Sequence, residues 1–236
     1  MKAFLYELFL QFRLDIRSKA LLLTCYVVPL FFFALMGGIF TAVDPGARLT
    51  LIPSMSVFIV SMGALIGLPP QLSEVYGGEV KKMYRAGGIP LYSGAITRFL
   101  SAFLHLSIVC LIVCAVAPAA FGAALPENLP RYFGVLALFL AASLAVGCVF
   151  GVFCKSPSKL AMYAQLVFLP SIMLSGIMFP ASMLPDFLQY AGLLFPAAVA
   201  FRAMTDFRAW HVLALACVFL ACGGLTFFRL KKFSGE

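Results

Sequence analysis

Six runs without a single charged residue divide this chain, and they constrain its fold more than any motif does. They are Ala20 to Val43, Leu49 to Ser73, Phe99 to Pro126, Tyr132 to Cys154, Leu160 to Pro185 and Ala209 to Phe228. Each holds at least the roughly 20 residues that carry an α-helix, rising about 1.5 Å per residue, across a hydrocarbon core. A seventh run, Phe187 to Phe201, is too short to cross. It reaches about 22 Å as a straight helix, and Pro196 interrupts it. At 63% hydrophobic and 11% charged residues, with a mean hydropathy of +1.05, the chain lies outside the soluble range of about half apolar and a quarter charged. The sequence therefore reads as an all-α integral membrane protein of one domain, residues 1–236, with six transmembrane helices.

Six crossings place both termini on one side, and the cations select it. Thirteen of the 17 Lys and Arg residues fall in the N-terminal segment, the 74–98 loop, the 155–159 loop and the tail. The opposite side carries only Arg48, Arg131, Arg202 and Arg208. The positive-inside rule then turns both termini to the cytoplasm of an inner, cytoplasmic membrane. The net charge of +8 is an orientation signal and a lipid-surface signal. No water-soluble basic face remains for nucleic acid.

Within residues 2–19, Phe4, Leu5, Leu8, Phe9, Phe12 and Ile16 share one helical face and Glu7, Gln11, Asp15 and Lys19 another. That pattern suits an amphipathic helix lying in the bilayer interface before the first crossing. The longest loop, 73–93, has a charged centre from Glu79 to Arg85, with Gly77 and Gly78 before it and Gly87, Gly88 and Pro90 after it. A short polar helix at the membrane surface is the expectation there. Gly63 and Gly67, and Ser143, Gly147 and Gly151, have the spacing that lets helix backbones approach closely, which fits packing within one subunit.

The chemistry is sparse. His105 and His211 have no second histidine or carboxylate at ligand spacing, so no metal site is expected. The seven cysteines all lie in the apolar runs and read as small packing residues rather than a disulfide framework. No catalytic motif is present, and no phosphate loop binds a nucleotide. The crossing runs hold no carboxylate of the kind ion-coupled carriers keep near mid-bilayer. The chain reads as a non-enzyme with no catalytic residue and no cofactor of its own; any uphill transport must draw on a partner.

In the fifth run, Pro180, Pro185 and Asp186 arrive within a few residues of one another. The expectation is a helix rising to about Phe179, then a re-entrant segment, 180–206, dipping into the outer leaflet before the last crossing. Irregular backbone at that depth needs protein or a water-filled cavity over it. Residues 168–206, FLPSIMLSGIMFPASMLPDFLQYAGLLFPAAVAFRAMTD, carry Pro170, Leu174, Ser175, Gly176, Pro180, Pro185, Pro196 and Arg202 in an order that resembles the signature region of type-2 ABC transporter permeases. SEVYGGEVKKMYRAGGIP resembles that family's coupling loop, although Tyr76 stands where a second acid is common and Glu79 where a threonine is common.

The resemblance implies the membrane-spanning subunit of an ATP-driven exporter. Two permease copies, identical or related, would pair with separate ABC ATPase subunits holding ATP and Mg. Glu74, Gly78, Glu79, Lys81, Lys82, Met83 and Arg85 would couple to that ATPase. Pro180, Pro185, Asp186, Pro196 and Arg202 would form an outer re-entrant gate. By residue type Phe58, Met62, Gln165, Phe168 and Met173 suit the lining of an amphipathic path, while their spacing alone reads first as packing. A self-sufficient carrier or channel is the alternative, and a membrane lipid transferase lacks a reactive constellation.

Overall fold

A computed structural model describes residues 2–78, 83–84, 86–88, 90–154, 156–178 and 183–235. Among these residues the elements are helical, with no strand. Helix α1 spans Lys2–Arg17, and a turn at Lys19–Leu22 leads into α2 (Leu23–Val43). There follow α3 (Leu51–Gly77), α4 (Leu91–Phe121), α5 (Leu129–Phe153), α6 (Pro157–Met173), α7 (Asp186–Gly192), α8 (Pro196–Thr205) and α9 (Ala209–Gly235). Helices α2, α3, α4, α5 and α9 are long and apolar enough to cross a bilayer. The protein is thus a multi-pass membrane protein of helices.

Helix α6 is shorter than the sequence suggests. It has 17 residues, about 26 Å, and stops at Met173 instead of continuing to about Phe179. The cause is local. Ser175 is buried, its Oγ donates to the Ile172 carbonyl at 2.6 Å and accepts from the Ile177 N–H at 3.3 Å, and Gly176 turns to φ +90°. A side chain resists that left-handed backbone, so the Leu174–Ser175–Gly176 sequence ends the helix by construction.

Prolines shape two of the long spans. In α2 a π-helical turn at Leu23–Val27 precedes Pro29, and in α3 a second one at Gly63–Gly67 precedes Pro69 and Pro70. Proline cannot donate to the preceding turn, and a π turn is where a helix absorbs such a defect. The two irregular turns adjoin: a Cβ on Gly67 would lie 3.4 Å from Cys25 Sγ.

Helix α3 is the central post, with 83% of its apolar window buried against 22% for α2 and 17% for α9. Helix α5 lies against it so closely that a Cβ on Gly147 would strike the Ala64 carbonyl oxygen, and one on Gly151 would sit 2.9 Å from that of Pro69. The small-residue spacings thus serve contact within one subunit. Ser56 and Tyr132 Oη meet at 2.7 Å across the same interface, satisfying two polar groups in an apolar core.

The contacts define two ends of the bundle. At one, Tyr76 Oη donates to the Leu91 carbonyl at 2.6 Å, Ser73 Oγ donates to that of Cys154 at 3.1 Å, and Tyr92 lies 6.3 Å from Phe227. Helix α1 packs against α4 at this end too, Glu7 accepting from Ser93 and Thr97. At the other end, the Ala124 N–H donates to the Arg48 carbonyl at 2.9 Å and Arg131 sits 4.8 Å over the Phe207 ring.

Candidate functional site

At the Asp44 end, α2, the turn that follows it, α3, the irregular exit from α6 and α8 surround a pocket of about 640 Å³. Its wall is mixed: Phe40, Met178, Met183 and Phe201 supply apolar surface, and Asp44, Thr50 and Ser54 supply polar atoms. Such a surface accommodates an amphipathic molecule, and its volume falls within the range of ligand pockets.

Beside this region runs the bent pair α7 and α8, whose axes differ by 96°, with Phe201 of α8 in the pocket wall. Pro185 caps α7, its carbonyl accepting from the N–H groups of Leu188 and Gln189, and Asp186 occupies the first turn, where a negative charge complements the helix N-terminus. The break expected at Pro196 falls immediately before it, between Gly192 and Pro196. Pro196 itself opens α8 at the first position, where no N–H is required. Arg202, near the end of α8, reaches back to the Gln189 carbonyl at 3.5 Å and ties the two arms.

The depth of the vertex follows from its neighbours. Met183 shares a wall with Asp44 and Gly46, and Met204 and Thr205 share one with Thr50 and Asn128, so both outer arms lie at the Asp44 end. Pro196 and Ala197, between them, lie beside Ser61, Ser143 and Ser171. Ser61 is about 15 Å along α3 from Leu51, so the bend between α7 and α8 lies further along α3 than Met183 and Thr205 do. The three serines are buried and surround a void of about 20 Å³, enough for one water. Gly192 seats α7 on the exit of α6: a Cβ there would be 2.7 Å from the Leu174 carbonyl oxygen. Pro180 lies outside the described residues.

The residues expected to line a path separate into two groups. Phe58 and Phe168 are buried, and they bridge spans: Phe32 stacks on Phe58 at 3.9 Å, which meets Phe168 edge to face at 5.9 Å. Met62 is half-buried. Gln165 and Met173 are exposed on α6 together with Met162, Leu166 and Leu169. An amide on an otherwise apolar face stands out, because hydrocarbon offers it no hydrogen-bond partner.

At the opposite end, Glu74 is exposed on the last turn of α3 and Gly78 follows that helix, close enough that a Cβ would be 2.9 Å from the Glu74 carbonyl oxygen. Met83 is exposed, and Tyr84 returns to α4, its Oη 3.1 Å from where a Gly94 Cβ would be. Glu79, Lys81, Lys82 and Arg85 lie outside the described residues.

One polar cluster escaped the reading of the sequence. Asp15 is buried, accepting from Ser101 Oγ at 2.5 Å and from Gln11 Nε2 at 2.8 Å. Two turns earlier, Glu7 accepts from Ser93 at 3.2 Å and Thr97 at 3.5 Å. His105, fully buried, has Nδ1 2.7 Å from Tyr26 Oη and stacks on Phe12 at 4.3 Å; its Nε2 has no partner among the described residues. The acidic face of α1 therefore points into the protein, while Leu5, Tyr6, Phe9 and Leu14 point out. The signal was present: Ser93, Thr97 and Ser101 recur every four residues at the start of α4, matching Glu7, Gln11 and Asp15.

Among the described residues no group of His, Cys, Asp and Glu is placed to hold a metal ion. A family model described as ABC-2 family transporter protein matches residues 43–230, well over half of the chain. No curated protein matches it.

Proposed function

From the premise that this chain belongs to the ABC-2 transporter family, and is thus a membrane component of an ABC transporter and not itself an enzyme, we propose that two copies form the substrate path of an exporter driven by a separate ATPase. The observation that carries this reading is the bent pair α7 and α8, whose vertex lies beside Ser61 and Ser171 while Phe201 of α8 lines the 640 Å³ pocket. A pocket flanked by two short tied helices suits a gate. Pro185, Asp186, Pro196 and Arg202 build its frame, and Pro180 belongs to the same segment.

Helix α6 and its irregular exit complete a sixth crossing in this reading. The Leu91 end faces the cytoplasm of an inner membrane, in keeping with the cation distribution. There the 73–93 loop, with Glu74, Gly78, Glu79, Lys81, Lys82, Met83 and Arg85, docks into the ATPase, which holds ATP and Mg. Helix α1 lies in the inner interface. The exposed face of α6 with Gln165 and Met173 meets the second copy or the path itself, which spares the amide from lipid. The mixed pocket favours a lipophilic or amphipathic substrate.

The test is co-purification with an ATPase encoded beside this chain, followed by ATP hydrolysis measured with candidate compounds. Stimulation that depends on both subunits supports the exporter. A second reading, a self-sufficient carrier, has Asp15 in its favour, because a buried carboxylate close to His105 is what proton coupling uses. Solute uptake by vesicles containing this chain alone, driven by a proton gradient, would establish that reading instead.

A further inference from the structure

A second groove, of about 310 Å³, runs between α4, α5 and α9 on the side of the bundle away from the gate. Its walls are nearly all apolar: Ile96 and Phe99 from α4, Phe219 and Phe227 from α9, with Ala145 and Cys148 as a low floor on α5. We propose that this groove binds one acyl chain of an anionic phospholipid from the inner leaflet. Beyond the transport reading, the proposal uses only the orientation of the bundle.

Length makes the first argument. From Phe219 to Leu230 the α9 wall extends about 16 Å, close to half of a hydrocarbon core of about 30 Å. The groove therefore matches one leaflet, beginning at the bundle end where Tyr92 and Leu230 lie and stopping near the middle of the crossing. Small residues shape it: Ala145 and Gly223 leave the space that larger side chains would fill, and a Cβ on Gly223 would meet no atom within 4 Å.

Charge makes the second argument and selects the headgroup. Lys231 is exposed one turn beyond Phe227, on the continuation of the groove wall, and Lys232 is exposed beside it. Arg98 on α4 does not join them: it lies outside the groove wall, its guanidinium donating to the Gly94 carbonyl at 3.2 Å. Glu7 of α1 is engaged by Ser93 and Thr97 of α4. The entrance thus presents cations at headgroup level, and each such cation favours an anionic lipid by about fivefold. A zwitterionic lipid gains the apolar contact without this preference.

The full chain, reconstituted in phosphatidylcholine vesicles, is exposed to small and equal amounts of phosphatidylglycerol or phosphatidylcholine carrying a photoreactive group on one acyl chain. Peptides containing Ile96 to Leu100 and Phe219 to Phe227 should be labelled several-fold more by phosphatidylglycerol. Lys231→Glu should abolish the difference between headgroups while leaving acyl labelling in place. Gly223→Leu, which extends into open space, should reduce labelling by both lipids. Equal labelling by the two lipids in the unaltered protein, or labelling that Gly223→Leu leaves unchanged, would overturn the proposal, and neither result bears on ATP-driven export.

Discussion

Glycine has three different jobs in this molecule, and substitution separates them. Gly176 holds φ +90° at the exit of α6, so Gly176→Ala forces a side chain into the left-handed region at a cost of about 1–2 kcal/mol. Gly147 admits the Ala64 carbonyl, and Gly147→Ala must move α5 away from α3, a change of the overpacking kind worth about 1–3 kcal/mol. Gly223 faces open space within α9, where Gly223→Ala should be neutral or stabilising by up to about 1 kcal/mol through helix propensity alone. Thermal unfolding in detergent, followed by circular dichroism, checks the order of the three. A Gly223→Ala protein less stable than Gly147→Ala would contradict the helix contacts described here.

The docking of α1 turns on hydroxyl-to-carboxylate bonds formed away from water. Ser101→Ala leaves Asp15 buried with one donor fewer, at an expected cost of about 1–3 kcal/mol, whereas Asp15→Asn with Ser101 intact keeps a polar pair and costs less. A double-mutant cycle over the two positions should give a coupling of about 0.5–3 kcal/mol, and a coupling near zero would remove the contact from the account. This is also where the sequence was least legible. Charge-free runs located the long helices because hydrocarbon excludes charge from a span's surface. They say nothing about a carboxylate brought in from a neighbouring helix, and Asp15 lies outside every run while its side chain lies against α4. The end of α6 was misplaced for a related reason: composition stays apolar through Met178, and the stop is set by the bonds of Ser175 and the backbone of Gly176. The break between α7 and α8 was legible because the prolines and the short length of the 187–201 run left few alternatives. The seat of α7 on α6 gives a further test. Gly192→Val, meeting the Leu174 carbonyl, should loosen α7 and increase thiol labelling of a cysteine placed at Ser171, in a background lacking the native cysteines; unchanged labelling would mean that this contact does not close the vertex.

At the scale of the whole molecule, two distant ends have to act together if an ATPase drives the gate. The physical link available is α3, the buried central post, which carries Glu74 and Gly78 at one end, Ser61 at the vertex and Ser54 in the outer pocket. Helix α6 runs alongside it, touching the vertex through Ser171 and the pocket through Gly176. Movement of the 73–93 loop would reach the gate through these packed elements, which requires that they have two arrangements rather than one. Reversing the charges at Lys81 and Lys82 changes the charge of the loop and of no residue in the spans. Such variants should assemble in the membrane and unfold at the temperature of the unaltered protein, yet lose most substrate-stimulated ATP hydrolysis and transport when paired with the ATPase. Normal stimulation by the altered complex would separate the loop from the motor and return the function to a path that works by itself.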